Sequence, residues 1–404
     1  MPPAPAARDR RATPFEIFFD LVFVFALTRI MALIGQPPTP VAMAQGLLLL
    51  VLLWIAWASY VWLGNQTPVD VGVVRAGVLV GMAALFVAAL VMPRAWSPEP
   101  GLDGPLLLAL AYVLLRVVHL ALYHRAAASV PGLRERIRFF AAVSALGWVL
   151  LLLGAVLGGV AHAALWVAAF LIEIGGQRLS YGWRGAWPLL SPNYFIERHG
   201  LVVIISLGES LIAAGVGAGP AVTALPVLGV ALLGLTVSVC LWWLYFDAAA
   251  PAAARALHAA NEDRRDRIAA DAYSEGHVLL IVGVIYLAVG VEQVLAHVAE
   301  AYVGGHHAAG SSLGWPAAVA LYGGAALYLA GRLLFLGFST GAVPPVQVAF
   351  AALALLLTPL GRALPGAAAL GVLAALLVAA AGHERLARGR WAPRPVGVRP
   401  AGPR

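Results

Sequence analysis

The sequence predicts an all-α polytopic integral membrane protein, a bundle of about twelve transmembrane helices in two six-helix parallel repeats. Three observations carry this. Only 11% of the 404 residues are charged and 62% are hydrophobic, whereas soluble domains carry roughly 25% charged residues. Mean hydropathy is +0.88, too high for a chain that must hide its apolar surface from water. Apolar runs of bilayer-crossing length, roughly 20 residues, recur along the chain. They are continuous rather than alternating, which excludes a closed barrel and leaves helices.

In chain order the spans fall near 16–34, 41–63, 71–92, 105–124, 137–158, 160–174, 199–216, 223–246, 273–294, 313–337, 343–360 and 365–381. The sixth and seventh are short, so the count lies between ten and twelve. The organisation that follows is a tail (1–15), a first half (16–174), a connecting loop (175–198), a second half (199–381) and an Arg/Pro-rich tail (382–404). A second long loop, 247–272, mixes both charges and reads as a short surface helix. The last tail is expected to be disordered and to lie on anionic lipid.

Charge placement tests this map. All 26 basic residues are Arg. With the N-terminus in the cytoplasm, 22 of them fall on that side, as the positive-inside rule expects for an even number of spans. Arg94 and Arg362 fall outside, and Arg29 and Arg116 within spans. The Arg residues occupy loops and tails rather than one folded face, which argues against nucleic acid despite a net charge of +7. Arg8, Arg10 and Arg11 ahead of an apolar run mimic a secretory signal. That run holds Glu16, Asp20 and Arg29 and no A-x-A site follows, so it reads as a retained helix of a bacterial cytoplasmic-membrane protein. A single cysteine, Cys240, excludes an intramolecular disulfide and reads as a small packing residue.

An internal repeat supports the two halves. Aligning "FEIFFDLVFVFALTRI" with "IERHGLVVIISLGESL" sets Glu16 against Glu197 and Thr28 against Glu209. The next spans share W-x-x-Y, Trp57/Tyr60 and Trp242/Tyr245, and the third pair sets Arg75 against His277 and Gly81 against Gly283. The matches keep one order and are six spans apart, so the halves share one orientation and are related by an axis along the membrane normal.

"PFEIFFDLVFVFALTRI", "ERHGLVVIISLGESL" and "DAYSEGHVLLIVGVIYLAVGVE" together resemble the bacterial low temperature requirement A family. That resemblance implies a polytopic membrane protein linked by name to growth in the cold, and supplies no substrate. Phe18, Asp20, Val22, Phe23, Ala26 and Thr28 are also similar to the pore-helix motif of potassium channels built from six-helix repeats. Phe19 replaces the serine of that motif, and the seventh span lacks F-x-D, so pore lining rests on analogy.

Ionisable groups inside a span cost roughly 2.5–3.5 kcal/mol on insertion scales and persist where they face a partner or a polar path. Glu16 and Asp20 are i, i+4 on one face, with Thr28 two turns on. The plainer reading makes Glu16 interfacial and Asp20 a local partner of Arg. Glu209 lies mid-span, one turn after Ser206, and suits proton exchange; the plainer reading is a packing hydrogen bond. Gly208 beside it permits close backbone approach. Glu197 and His199 stand at the start of the seventh helix, where an acid complements the dipole, and His277 opens the ninth. Arg116 needs a partner, for which Asp20 and Glu209 are candidates, while Glu173 is placed to snorkel. His306 and His307 are too few ligands for zinc.

Glu16, Asp20, Thr28, Arg116, Glu197, His199, Ser206, Glu209 and His277 are therefore the candidate path of a transporter or ion-conducting protein, with proton coupling suggested by its carboxylates. The alternatives are a membrane-embedded enzyme acting on lipid and a non-transporting assembly factor for cold growth. No cofactor motif is present. The expected partners are the lipid bilayer and a small ion or solute, and a homo-oligomer is compatible with the composition.

The topology is testable. Reporter fusions after residues 36, 98 and 306 should report the outside, and a fusion at the C-terminus the cytoplasm. A cytoplasmic signal at residue 306 would break the map of the second half.

Overall fold

The computed structural model describes residues 10–35, 37–96, 103–129, 132–184, 187–304 and 312–391. Twelve helices among them are long and apolar enough to cross a membrane. They are α1 (Pro14–Ile34), α2 (Pro40–Gln66), α3 (Gly72–Arg94), α4 (Gly104–Ala126), α5 (Leu133–Leu157) and α6 (Gly159–Arg184). The second six are α7 (Pro192–Ala221), α8 (Leu225–Ala259), α9 (Glu262–Val303), α10 (Trp315–Thr340), α11 (Pro345–Ala363) and α12 (Gly366–Trp391). The loop bearing His306 and His307 and the tail from residue 392 lie outside the described residues.

Local chemistry sets the helix ends. Pro14, Pro40, Pro105, Pro192, Pro226, Pro316 and Pro345 sit in the first turn of their helices, where the missing N–H costs nothing and φ is already helical. Thr13 and Thr39 cap α1 and α2 with their hydroxyls.

Three expected boundaries move. The sixth and seventh spans are full-length, because α6 continues to Arg184 and α7 begins at Pro192. Arg198 and His199, expected at a helix start, therefore lie inside α7. The expected 247–272 loop is almost wholly helical. α8 runs to Ala259 and α9 starts at Glu262, where Asn261 caps by accepting from the Arg264 N–H at 3.0 Å. The Ala-rich stretch around Arg255 is a strong helix former, which outweighs its polarity.

α9 is buried along most of its length and packs on α7 and α10. α1 touches α2, α3 and α7, α5 packs on α6, and α8 on α12. α6 and α11 lie at the rim. Among the described residues three helices carry a π-helical stretch: Leu244–Ala249 in α8, Ile268–Glu275 in α9 and Val319–Gly323 in α10. Such stretches cluster at functional sites.

The α9–α10 contact is backbone to backbone. A Cβ on Gly290 would lie 2.6 Å from the Leu321 Cα, and one on Gly324 2.5 Å from the Leu287 N. Small residues permit this approach in membranes, where dispersion contacts must supply much of the association energy. Gly208 does not share this role, since a Cβ there meets nothing within 4 Å. Gly290→Ala should therefore destabilise by about 1–3 kcal/mol through overpacking, while Gly208→Ala should be neutral or slightly stabilising. Thermal unfolding in detergent distinguishes the two, and equal behaviour would contradict the close packing.

Candidate functional site

The polar centre begins with the cap of α1. Glu16 accepts from the Thr13 N–H at 2.8 Å, closing a capping box. Its other oxygen accepts from Arg10 Nη2 at 2.8 Å and from the Tyr194 hydroxyl at 2.7 Å. Glu16 is thus a buried group with both oxygens bonded. Glu197 lies in the second turn of α7 and is not its cap. It accepts from the Ala12 N–H at 3.0 Å, tying the segment before α1 to α7.

One turn deeper, Asp20 Oδ1 accepts from Arg198 Nη2 at 2.6 Å and from Trp57 Nε1 at 2.8 Å. Asp20 Oδ2 and Arg198 Nε are buried with no hydrogen-bond partner in the protein. The Arg198 guanidinium lies 5.9 Å from the ring centres of both Trp57 and Tyr194. Glu16 meets Tyr194, Asp20 meets Arg198, and Thr28 Oγ1 donates to Glu209 Oε2 at 2.9 Å. The ascending register of these pairs makes α1 and α7 parallel. At 1.5 Å per residue the Thr28–Glu209 pair lies about 12 Å farther along α1 than the Asp20–Arg198 pair. Ser206, buried without a partner, lies between them on α7. Ser210 and Ser238 hydrogen-bond beside Glu209 at 2.7 Å, linking α7 to α8.

Around Trp57 an aromatic cluster encloses two histidines. His199 Nδ1 faces the Phe195 carbonyl at 2.8 Å. A carbonyl only accepts, so Nδ1 carries the proton and Nε2 presents a lone pair. That Nε2 is buried and has no partner in the protein. His277 Nδ1 likewise faces the Ala272 carbonyl at 3.2 Å, so its Nε2 accepts from the Tyr245 hydroxyl at 2.7 Å. The two imidazole centres are 5.0 Å apart, walled by Trp54, Trp57, Tyr273 and Phe335. Two π-helical stretches shape this site, since Tyr245 and Tyr273 belong to them. Ser274 then locks the halves together, its carbonyl accepting from Trp54 Nε1 at 2.6 Å and its hydroxyl from Trp62 Nε1 at 3.0 Å.

A model of the bacterial low temperature requirement A protein matches residues 11–382. The chain belongs to the bacterial low temperature requirement A family. It is also similar to "Uncharacterized protein RA0937" of Rhizobium meliloti (strain 1021), at 26% identity over 345 residues, covering 81% of this chain and 78% of that one. The family match covers both the seam between α1 and α7 and the histidine cluster.

Two expected pairings do not occur. Arg116 meets neither Asp20 nor Glu209. It donates to Glu173 Oε2 at 3.1 Å and to Ser59 Oγ at 2.6 Å, with Trp148 Nε1 holding the other Glu173 oxygen at 2.8 Å. Glu173 is accordingly buried between α4, α5 and α6 rather than snorkelling. His277 lies against Trp54 and His199, at the end of the bundle where Asp20 lies. Arg198 and Arg332, counted above as cytoplasmic, are buried inside α7 and α10. Sequence reasoning missed Arg198, Tyr194, Trp57 and Ser274 as site residues. The i, i+4 spacing of Tyr194 and Arg198 was the available signal. Among the described residues no three His, Cys, Asp or Glu side chains converge as a metal site.

Asp20 and Arg198 should behave as one unit. Breaking a buried pair by removing one partner costs about 3–5 kcal/mol. Asp20→Asn or Arg198→Met alone should each lower thermal stability in detergent by that order, and the double variant should recover much of the loss. Additive losses would show that the two groups are energetically independent.

Proposed function

We propose that this protein is a transporter or ion-conducting protein whose path follows the α1–α7 seam, with protons as the coupling ion. The observation that carries the reading is the run of buried polar groups at several depths along two parallel central helices: Glu16, Asp20 and Arg198, Ser206, then Thr28 and Glu209. An assembly factor has no need of ionisable groups arranged in depth, each costly in lipid. Unpartnered atoms on Asp20, Ser206 and His199 are suited to a moving ion or solute.

Two matching parallel halves with both termini cytoplasmic fit this reading. Arg116 of the fourth span pairs with Glu173 of the sixth, and Arg332 of the tenth pairs with Glu384 of the twelfth. Tyr60 of the second span donates to a carbonyl of the fourth, and Tyr328 of the tenth to a carbonyl of the eighth. Thr28 and Glu209 occupy aligned positions and touch each other, as equivalent residues near a pseudo-twofold axis would.

A lipid-directed enzyme is the second reading, favoured by the His199–His277 pair. A cavity of about 290 Å³ between α2, α6 and α9 reaches Trp54 and Ser274 at the edge of that cluster, with Arg178 and Glu275 on its lining.

Proteoliposomes with an imposed pH gradient and an entrapped pH dye test the transport reading, with Na⁺, K⁺ and small solutes added in turn. Wild type should show flux above protein-free vesicles. Glu209→Gln should fold and reduce pH-dependent flux to the protein-free rate, and Asp20→Asn should weaken it. An enzyme working at the histidine end would be indifferent to Glu209. Full flux with an unchanged pH profile in both variants would end the proton-path reading.

A further inference from the structure

On the outer face of the second half, α8 and α12 enclose a groove of about 420 Å³ whose walls include Leu235, Val239, Cys240, Trp243, Val378 and Gly382. Its wall is apolar almost throughout. Leu235, Val239 and Val378 stay exposed on its rim, and Thr236 turns its hydroxyl to the Leu232 carbonyl at 2.8 Å, leaving no free donor there. From Leu235 to Trp243 the groove runs about 12 Å along α8. One end carries a charge. Arg385 lines the groove and is exposed near the C-terminal end of the α12 span, its guanidinium 5.0 Å from the Trp243 ring centre. The adjacent acid, Glu384, is already engaged by Arg332.

We propose that this groove is a binding site for one anionic phospholipid, an acyl chain lying between α8 and α12 and the phosphate on Arg385. The apolar trough excludes a soluble anion as its main occupant. The guanidinium at the interfacial end supplies a fork for phosphate oxygens, and its contact with the Trp243 ring positions it over the trough. Charge complementarity thus favours an anionic over a zwitterionic headgroup. The site lies apart from the α1–α7 seam and does not depend on the transport reading.

Cys240, the one cysteine, lines the groove but is buried, so the probe is Val239→Cys, exposed on the same wall, in a Cys240→Ser background taken as wild type. The rate at which methyl methanethiosulfonate labels it in detergent-purified protein, read by intact mass, reports occupancy. Phosphatidylglycerol should slow labelling about fivefold more than phosphatidylcholine at equal mole fraction, the discrimination expected of roughly one interfacial cation. Arg385→Gln should remove the difference between the two lipids, and Arg385→Lys should keep most of it. Gly382→Leu, which fills the trough, should abolish protection by either lipid. Inorganic phosphate alone should protect nothing. Equal protection by the two lipids in wild type, an unchanged preference in Arg385→Gln, or protection by phosphate alone would each overturn the proposal.

Discussion

The Asp20–Arg198 pair is the constraint on which the centre of the bundle depends. Both groups are buried, and neither is tolerable there without the other. The pair fixes α1 against α7 in rotation and in register at once. Trp57 joins it from α2, and through Trp57 the position of the His199 ring is set as well. Buried ion pairs are weak sources of net stability but strong sources of uniqueness where registry is at stake. Here they choose one of many arrangements open to helices whose surfaces are apolar all round.

That last point explains what was legible in the sequence. Twelve spans were readable because the bilayer penalises any uncovered backbone polar group, and only long apolar helices meet that demand. Which face of each helix looks inward was far less readable. Lipid and core are both apolar, so hydropathy does not separate Leu232, exposed on α8, from Leu241, buried one face away. Carboxylates marked the interior better: Glu16, Asp20 and Glu209 all point inward. Their partners were hidden because pairing is set by distance in space. Arg116 and Glu173 are 57 residues apart, and nothing local in either helix names the other. Charge also misled. The stretch after Asp247, read as a loop with a short surface helix, is helical nearly throughout, and Arg198, counted among the loop cations, is buried inside α7.

The two halves of the chain hold their buried ion pairs differently. In the first, Arg116 and Glu173 lie among Trp148, Ser59 and Tyr60, while in the second Arg332 also donates to the Leu244 carbonyl. Among the described residues all three π-helical stretches lie in the second half, two of them beside His277. A π-turn places one more residue in the turn than an α-turn does. It rotates the residues beyond it, which is how Tyr245 and Tyr273 come to face the same imidazole from different helices. Helices α8 and α9 are thus locally rewound at the place where the two histidines meet.

The Ser274 clamp has a consequence for biogenesis. Trp54 and Trp62 find their acceptors 220 and 212 residues later in the chain. At a synthesis rate of about 5–20 residues per second, α2 is made some tens of seconds before α9 can receive it. During that interval two indole N–H groups, and with them Asp20 still awaiting Arg198, must be sheltered by the insertion machinery or by provisional contacts. The first half is therefore the part of the chain most in need of a holding partner at birth, and it completes its interior only when the ninth helix arrives.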